Sequence, residues 1–356
     1  MSSNLALQVA YPWTKTPLLA SAPMLNIASA PLAVSVSAAG GLGFLAGGFD
    51  VSSLETNFEE AVQLIKQSNS AIQQVYAACG ILPIGVGFLN WGADLAESIT
   101  AIAKYRPCAA WFFGPERIPD DLRPWVEQVR AVTDGKTKIW VQVGTVSEAV
   151  AVAESLDPDV LVIQGSDAGG HGLAKSASII TLVPEVKDAL RTRQLSDHIP
   201  LIAAGGIIDG RGVAASLALG ASGTVMGTRL LASSEARIAR GYQDEVLRAS
   251  DGGVSTIRST VYDRVRGILS WPSRYDGRGL INQSYIDAVE RGMRDEENKA
   301  LYEEELKKGD AGWGPNARLT TYAGTGVGLV REILPAADIV INVIREAENI
   351  LQGLKV

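Results

Sequence analysis

The chain has 356 residues, 47 % of them hydrophobic and 20 % charged. That is enough for one large α/β barrel or two ordinary domains around a sizeable core. A formal net charge of −7 argues against nucleic-acid or anionic-membrane partners, although local backbone donors can still hold a small anion.

In chain order, the opening residues lack the basic and apolar segments of a secretory signal, and no apolar run reaches bilayer-spanning length. Leu18 to Ala22 reads as a short strand ending at Pro23-Met24. A small-residue helix follows, with Pro31 in its first turn. Leu42 to Ala46 is the second strand. Ser52 and Glu55 form a capping box for one long helix to about Val75. Ile84–Leu89, Cys108–Phe113, Lys138–Val143 and Val160–Ile163 continue the strands, with helices opening near Asp94, at Pro119 and at Thr145. Leu201–Ala204 and Thr224–Met226 are the seventh and eighth. Asp209 is the candidate N-cap between them. Cys79 and Cys108 are the only cysteines. Without pairing pattern or metal-ligand spacing they point to a reducing, cytoplasmic compartment and no metal site.

Strands alternating with helices, with no sign of antiparallel hairpins, predict a (β/α)8 TIM barrel. A doubly wound open sheet is the alternative, but no G-x-G-x-x-G turn follows the first strand. The alternation stops at 234–320, a charged and aromatic stretch with Tyr262, Trp271 and Tyr275. It is expected to form an insertion after the eighth strand that covers the barrel mouth. The barrel itself would then comprise 1–233 and 321–356, closed by a helix from Thr325 to Leu354 whose apolar stripe includes Val330, Ile333, Leu334, Val340 and Ile344.

Two glycine turns stand where a barrel commonly holds phosphate, Gly205-Gly206 after the seventh strand and Gly227-Thr228 after the eighth. Either alone reads equally well as a tight βα connection. Together they favour a phosphate cradle, because glycine lets backbone N–H groups approach phosphate oxygens. His171 leaves the sixth strand in the loop QGSDAGGHG, placed for general acid–base work. His198, the other histidine, lies at the opposite end of its strand. Gln164 can both donate to and accept from a planar heterocycle. Asp167 either orients His171 or caps the loop.

The segments APM (22–24), SAAGGLGFLAGG (37–48), QGSDAGGHG, IAAGGIIDGRGVAASLALGA and VMGTRLL together resemble the nitronate monooxygenase family, formerly the 2-nitropropane dioxygenases. The resemblance implies an FMN-dependent barrel that oxidises alkyl nitronates, and nitroalkanes, with O2. Close relatives are NAD(P)H-dependent reductases of quinones or enoyl thioesters. It places the FMN phosphate at Gly205, Gly206, Gly227 and Thr228. Gln164, Gly169, Gly170, Ala22, Met24 and Met226 fall near the flavin, and His171 falls on the base that takes the α-proton. Many members carry an Asn after the third strand where this chain has Gly87, with Asn90 close enough in sequence to substitute. The competing readings are the reductase, a flavin-free phosphate-binding aldolase or isomerase, and a non-catalytic flavin carrier.

Overall fold

The computed structural model describes residues 3–195 and 199–354; His198 lies outside them. Its strands are β1 (Leu18–Ser21), β2 (Phe44–Gly48), β3 (Leu82–Leu89), β4 (Pro107–Phe113), β5 (Lys138–Val143), β6 (Val160–Gln164), β7 (Gly170–Leu173), β8 (Leu201–Ala204), β9 (Gly223–Met226), β10 (Thr256–Ser259) and β11 (Tyr275–Leu280). Eight of them form one parallel sheet in the order β1-β9-β8-β6-β5-β4-β3-β2. The ends of that sheet meet. Ala20 bridges Leu42, the Leu42 N–H donates to the Leu19 carbonyl, and Ser21 Oγ accepts from the Phe44 N–H. The result is a (β/α)8 barrel with helices between its strands.

Parallel strands covered on both sides should be apolar throughout, and β1, β8 and β9 are buried at every position. Aromatic rings fill part of the interior. Phe44 packs edge-on to Trp111 at 5.1 Å and lies 5.0 Å from Trp140, whose indole N–H donates to Tyr11 Oη at 2.7 Å. Tyr11 follows a first helix, Ser3–Ala10. Among the described residues no helix is long and apolar enough to cross a membrane.

Local signals set several helix starts. Asp94 accepts from the Glu97 N–H, Thr145 from the Glu148 N–H, and Asp209 from the N–H groups of Arg211 and Gly212. Others differ from expectation. The helix after β2 starts behind Ser53, with no side-chain cap, and is two helices, Leu54–Gln67 and Ala71–Cys79. Ser68 breaks it: its hydroxyl bonds the Ile65 carbonyl and Ser70 Oγ, competing with the helical ladder. The closing segment is a short 3-10 turn, Thr325–Leu329, and a helix that begins only at Ala336 (Ala336–Gly353). Pro335 disfavours helical backbone at Leu334. Val330, Ile333 and Leu334 therefore lie before the helix, whereas Val340 and Ile344 are on its buried face.

The largest departure is a second sheet, antiparallel, in the order β10-β11-β7. The segment YDGRGL (Tyr275–Leu280) is strand β11, and the glycine loop after β6 ends in strand β7. Both carry glycine at alternate positions, which weakens the strand signal. Arg240–Arg248, Gly252–Ser255, Val261–Arg266, Gln283–Val289 and Asp295–Leu306 are the α-helices of 234–320.

Candidate active site

A cavity of about 470 Å³ opens at the carboxyl ends of the barrel strands, within the usual range for a small-molecule site. Ala22, Met24, Gln164, Gly169, Gly170, His171, Gly205, Gly206, Gly227 and Thr228 all line it. Met226 does not. Successive strand residues face opposite ways; on β9 it is Val225 that reaches the cavity, while Met226 is fully buried and its carbonyl accepts from the Ala22 N–H.

At one end lie the two glycine turns. Gly205 and Gly206 have φ of +113° and +76°, backbone that side chains rarely adopt. The N–H groups of Gly206, Gly227 and Thr228 find no acceptor among the described residues. Thr228 Oγ1 accepts from the Gly324 N–H at 2.9 Å, which leaves the hydroxyl proton free to donate. Gly227 differs from its counterparts. Its φ is −110°, and a Cβ there would meet Ala22 Cβ at 3.5 Å and Met24 Sδ at 3.8 Å, ordinary contacts.

At the other end stands His171. Its backbone pairs with Gly277 across β7 and β11, and its carbonyl accepts from Gln164 Nε2 at 3.1 Å. The ring stacks on Trp271 at 3.8 Å with 5° between planes. Its Nε2 lies 2.9 and 2.8 Å from the two oxygens of Asp263, the side chains being 11 % and 7 % exposed. Tyr322 Oη donates to the same carboxylate at 3.1 Å and accepts from Arg266 at 3.3 Å. Burial and the neighbouring Asp263 charge push the Tyr322 phenol well above its ordinary value, so it remains a donor. Asp167 is not the partner of His171. It holds the segment after 320 instead, accepting from Thr325 Oγ1, and from the Thr325 N–H at its carbonyl.

The small sheet fixes the loop that carries His171. Arg258 donates to the carbonyls of Ala168, Gly170 and Asp276, and Arg278 to that of Ser166. Burial and the adjacent Arg278 charge lower the Arg258 guanidinium to about 10. It remains charged at neutral pH.

Gly87 leaves no room for the asparagine that the resemblance implies there, since a Cβ would stand 2.3 Å from Pro23 Cγ. Asn90 does not substitute for it. Its Oδ1 accepts from the Phe113 N–H at 2.8 Å, and it is not among the cavity-lining residues. Gly87→Asn is therefore expected to lower stability by about 1–3 kcal/mol through overpacking, without tightening ligand binding. Urea unfolding together with a ligand titration checks both halves.

Sequence reasoning missed Asp263, Tyr322, Arg266 and Gln142. Gln142 carried a signal. It is a lone polar residue in the apolar strand KIWVQV, and it lines the cavity while accepting from Trp111 Nε1 at 3.1 Å. The other three lie in or after an irregular stretch, where no periodicity marks which side chains turn inward. Among the described residues no group of His, Cys, Asp and Glu is arranged to hold a metal.

The nitronate monooxygenase family profile matches residues 121–346. The chain is 49 % identical to "Nitronate monooxygenase npaC" of Metarhizium robertsii, over 98 % of this chain and 96 % of that one. It is 34 % identical to "Nitronate monooxygenase" of Neurospora crassa, over 97 % and 93 %. In fold it is similar to FabK from Thermotoga maritima (TM-score 0.71, 24 % identity, covering 98 % of this chain and 97 % of that one). Nitroalkane oxidase from Streptomyces ansochromogenes is similar to the same degree (TM-score 0.71, 22 % identity, covering 98 % and 100 %). Family profile and full-length relatives agree, and this chain belongs to the nitronate monooxygenase family.

Proposed function

We infer that this chain is an FMN-dependent enzyme that oxidises alkyl nitronates with O2 to carbonyl compounds and nitrite, and takes neutral nitroalkanes once their α-proton is removed. The observation that carries the reading is the pairing of two ends within one cavity. Backbone donors free for an anion lie at one end, and an imidazole held between Trp271 and Asp263 at the other.

The donors at Gly206, Gly227 and Thr228 suit a phosphate, and the absence of a side chain at Gly227 keeps that approach open. Gln164, with its Nε2 committed to the His171 carbonyl, offers its Oε1 toward a ring donor. FMN bound there supplies the electron transfer between nitronate and oxygen. His171 takes the α-proton of a neutral nitroalkane and, once cationic, faces the nitronate charge. Residues 234–320 act as a lid on a barrel formed by 1–233 and 321–356, contributing Tyr242, Ile268, Trp271 and Trp313 to the cavity wall. With Phe49 and Phe113 they keep water from the reacting atoms.

The test is anaerobic mixing of the FMN-loaded protein with propyl nitronate, and separately with NADPH, while recording the flavin spectrum. Bleaching by the nitronate and not by NADPH is expected. Bleaching by NADPH alone would place the chain among reductases, and a colourless protein that takes up no FMN would remove the flavin from the reading.

A further inference from the structure

The Asp263–His171 contact decides which atom of the imidazole is basic. An ionised carboxylate only accepts hydrogen bonds. Asp263 has two donors converging on it, Tyr322 Oη at 3.1 Å and His171 Nε2 at 2.8 Å. For both bonds to form, Nε2 must carry a proton. No group among the described residues bonds Nδ1 of the same ring, and the residue lines the cavity. Stacking on Trp271 at 3.8 Å and the strand pairing of β7 resist rotation of the ring out of this arrangement.

We propose that Asp263 fixes His171 as the tautomer protonated at Nε2, so that Nδ1 is the atom that accepts the substrate's α-proton. Asp263 is thus a positioning residue, acting through His171, and Tyr322 holds the carboxylate in place from its other side. The step balances simply. The α C–H bond breaks, its electron pair forms the C=N bond of the nitronate with the negative charge on the nitro oxygens, and the proton goes to Nδ1. The resulting imidazolium lies against the Asp263 carboxylate, which stabilises it. Tyr322, Arg266 behind it and Asp276 on β11 are the other titratable or charged groups around the ring. The inference rests on the reading of His171 as the base.

The chain has two histidines, which makes a direct test practical. Enzyme labelled with 15N at histidine, compared with His198→Gln to assign the signals, reports the protonation of each ring nitrogen of His171. The expected result is a protonated Nε2 and an unprotonated Nδ1 over the pH range in which the enzyme turns over. A proton on Nδ1, alone or together with Nε2, overturns the proposal whatever the activity.

Asp263→Asn should shift the tautomer and reduce kcat/KM for nitroethane by about 10²–10⁴-fold, while ethyl nitronate loses less than about tenfold. An unchanged tautomer and unchanged nitroethane turnover in that variant would also overturn it. If Asp263→Asn does not fold, the labelled parent enzyme and Tyr322→Phe still decide, the latter keeping the tautomer with a loss below about tenfold. Failure of the underlying reading looks different. His171→Asn would then impair nitroethane and ethyl nitronate equally, with the parent's tautomer as expected.

Discussion

His171→Asn is expected to lower kcat/KM for a neutral nitroalkane by about 10²–10⁴-fold, and for the matching pre-formed nitronate by less than about tenfold. The two substrates differ by one proton, and an asparagine amide cannot take it. It can keep part of the contact to Asp263, whose carboxylate retains Tyr322 Oη as a donor at 3.1 Å. A pre-formed nitronate needs no base. It loses only the favourable field of an imidazolium, an electrostatic effect smaller than the proton transfer itself. A fold defect has a different signature, because it lowers both rates together and lowers the melting temperature. Parallel turnover of nitroethane and ethyl nitronate, with a thermal melt of each preparation, separates these outcomes. Equal losses at unchanged stability would remove the proton-abstraction role from His171.

The barrel was legible because its signals are local. Val160 to Ile163 and Leu201 to Ala204 are short continuous apolar runs, and each is a barrel strand covered on both sides. Asp209 is an N-cap by residue type and by its two accepted N–H bonds. The cavity end built from Gly205, Gly206, Gly227 and Thr228 was legible for the same reason, since these residues sit next to the strands that position them. The other end was not. His171 could be placed by its glycine loop, but its partner lies 92 positions away, in a stretch with no strand or helix period strong enough to read. Asp263 sits in TVYDRVR, within the charged and aromatic stretch where no alternation of strand and helix can be read. The sheet β10-β11-β7 brings the two together, since His171 lies in β7 and the helix that carries Asp263 follows β10, and that sheet is disguised by glycines at 170, 172, 277 and 279. Asp167, the nearer carboxylate in sequence and open there to either of two roles, bonds Thr325 instead.

Gly227→Ala and Gly205→Val should fail in opposite ways. Gly205 is required by the chain itself. Its φ of +113° is unfavourable for any side chain, and a Cβ would lie 3.0 Å from both the Ala168 nitrogen and the Gly165 carbonyl oxygen. Those contacts are backbone, so they yield only by moving the loop that carries His171. Gly205→Val is therefore expected to lose several kcal/mol of stability, from strain and overpacking together. It should be poorly folded with or without FMN. Gly227 has no such constraint, with φ of −110° and neighbours at ordinary contact distance. The polypeptide alone gives no reason for glycine there, so what selects it is whatever the cavity holds. The apoprotein of Gly227→Ala should melt within a few degrees of the parent. If FMN phosphate sits against the 227–228 turn, the added methyl group holds it away from the N–H donors. Losing about one to two charge-assisted hydrogen bonds, each worth about 1.5–3 kcal/mol, raises the dissociation constant for FMN by at least about tenfold. Fluorescence titration of apoprotein with FMN reads the affinity, and titration with riboflavin supplies the control. Weakened FMN binding with unchanged riboflavin binding assigns the defect to the phosphate. Equal weakening of both would move the phosphate away from this turn.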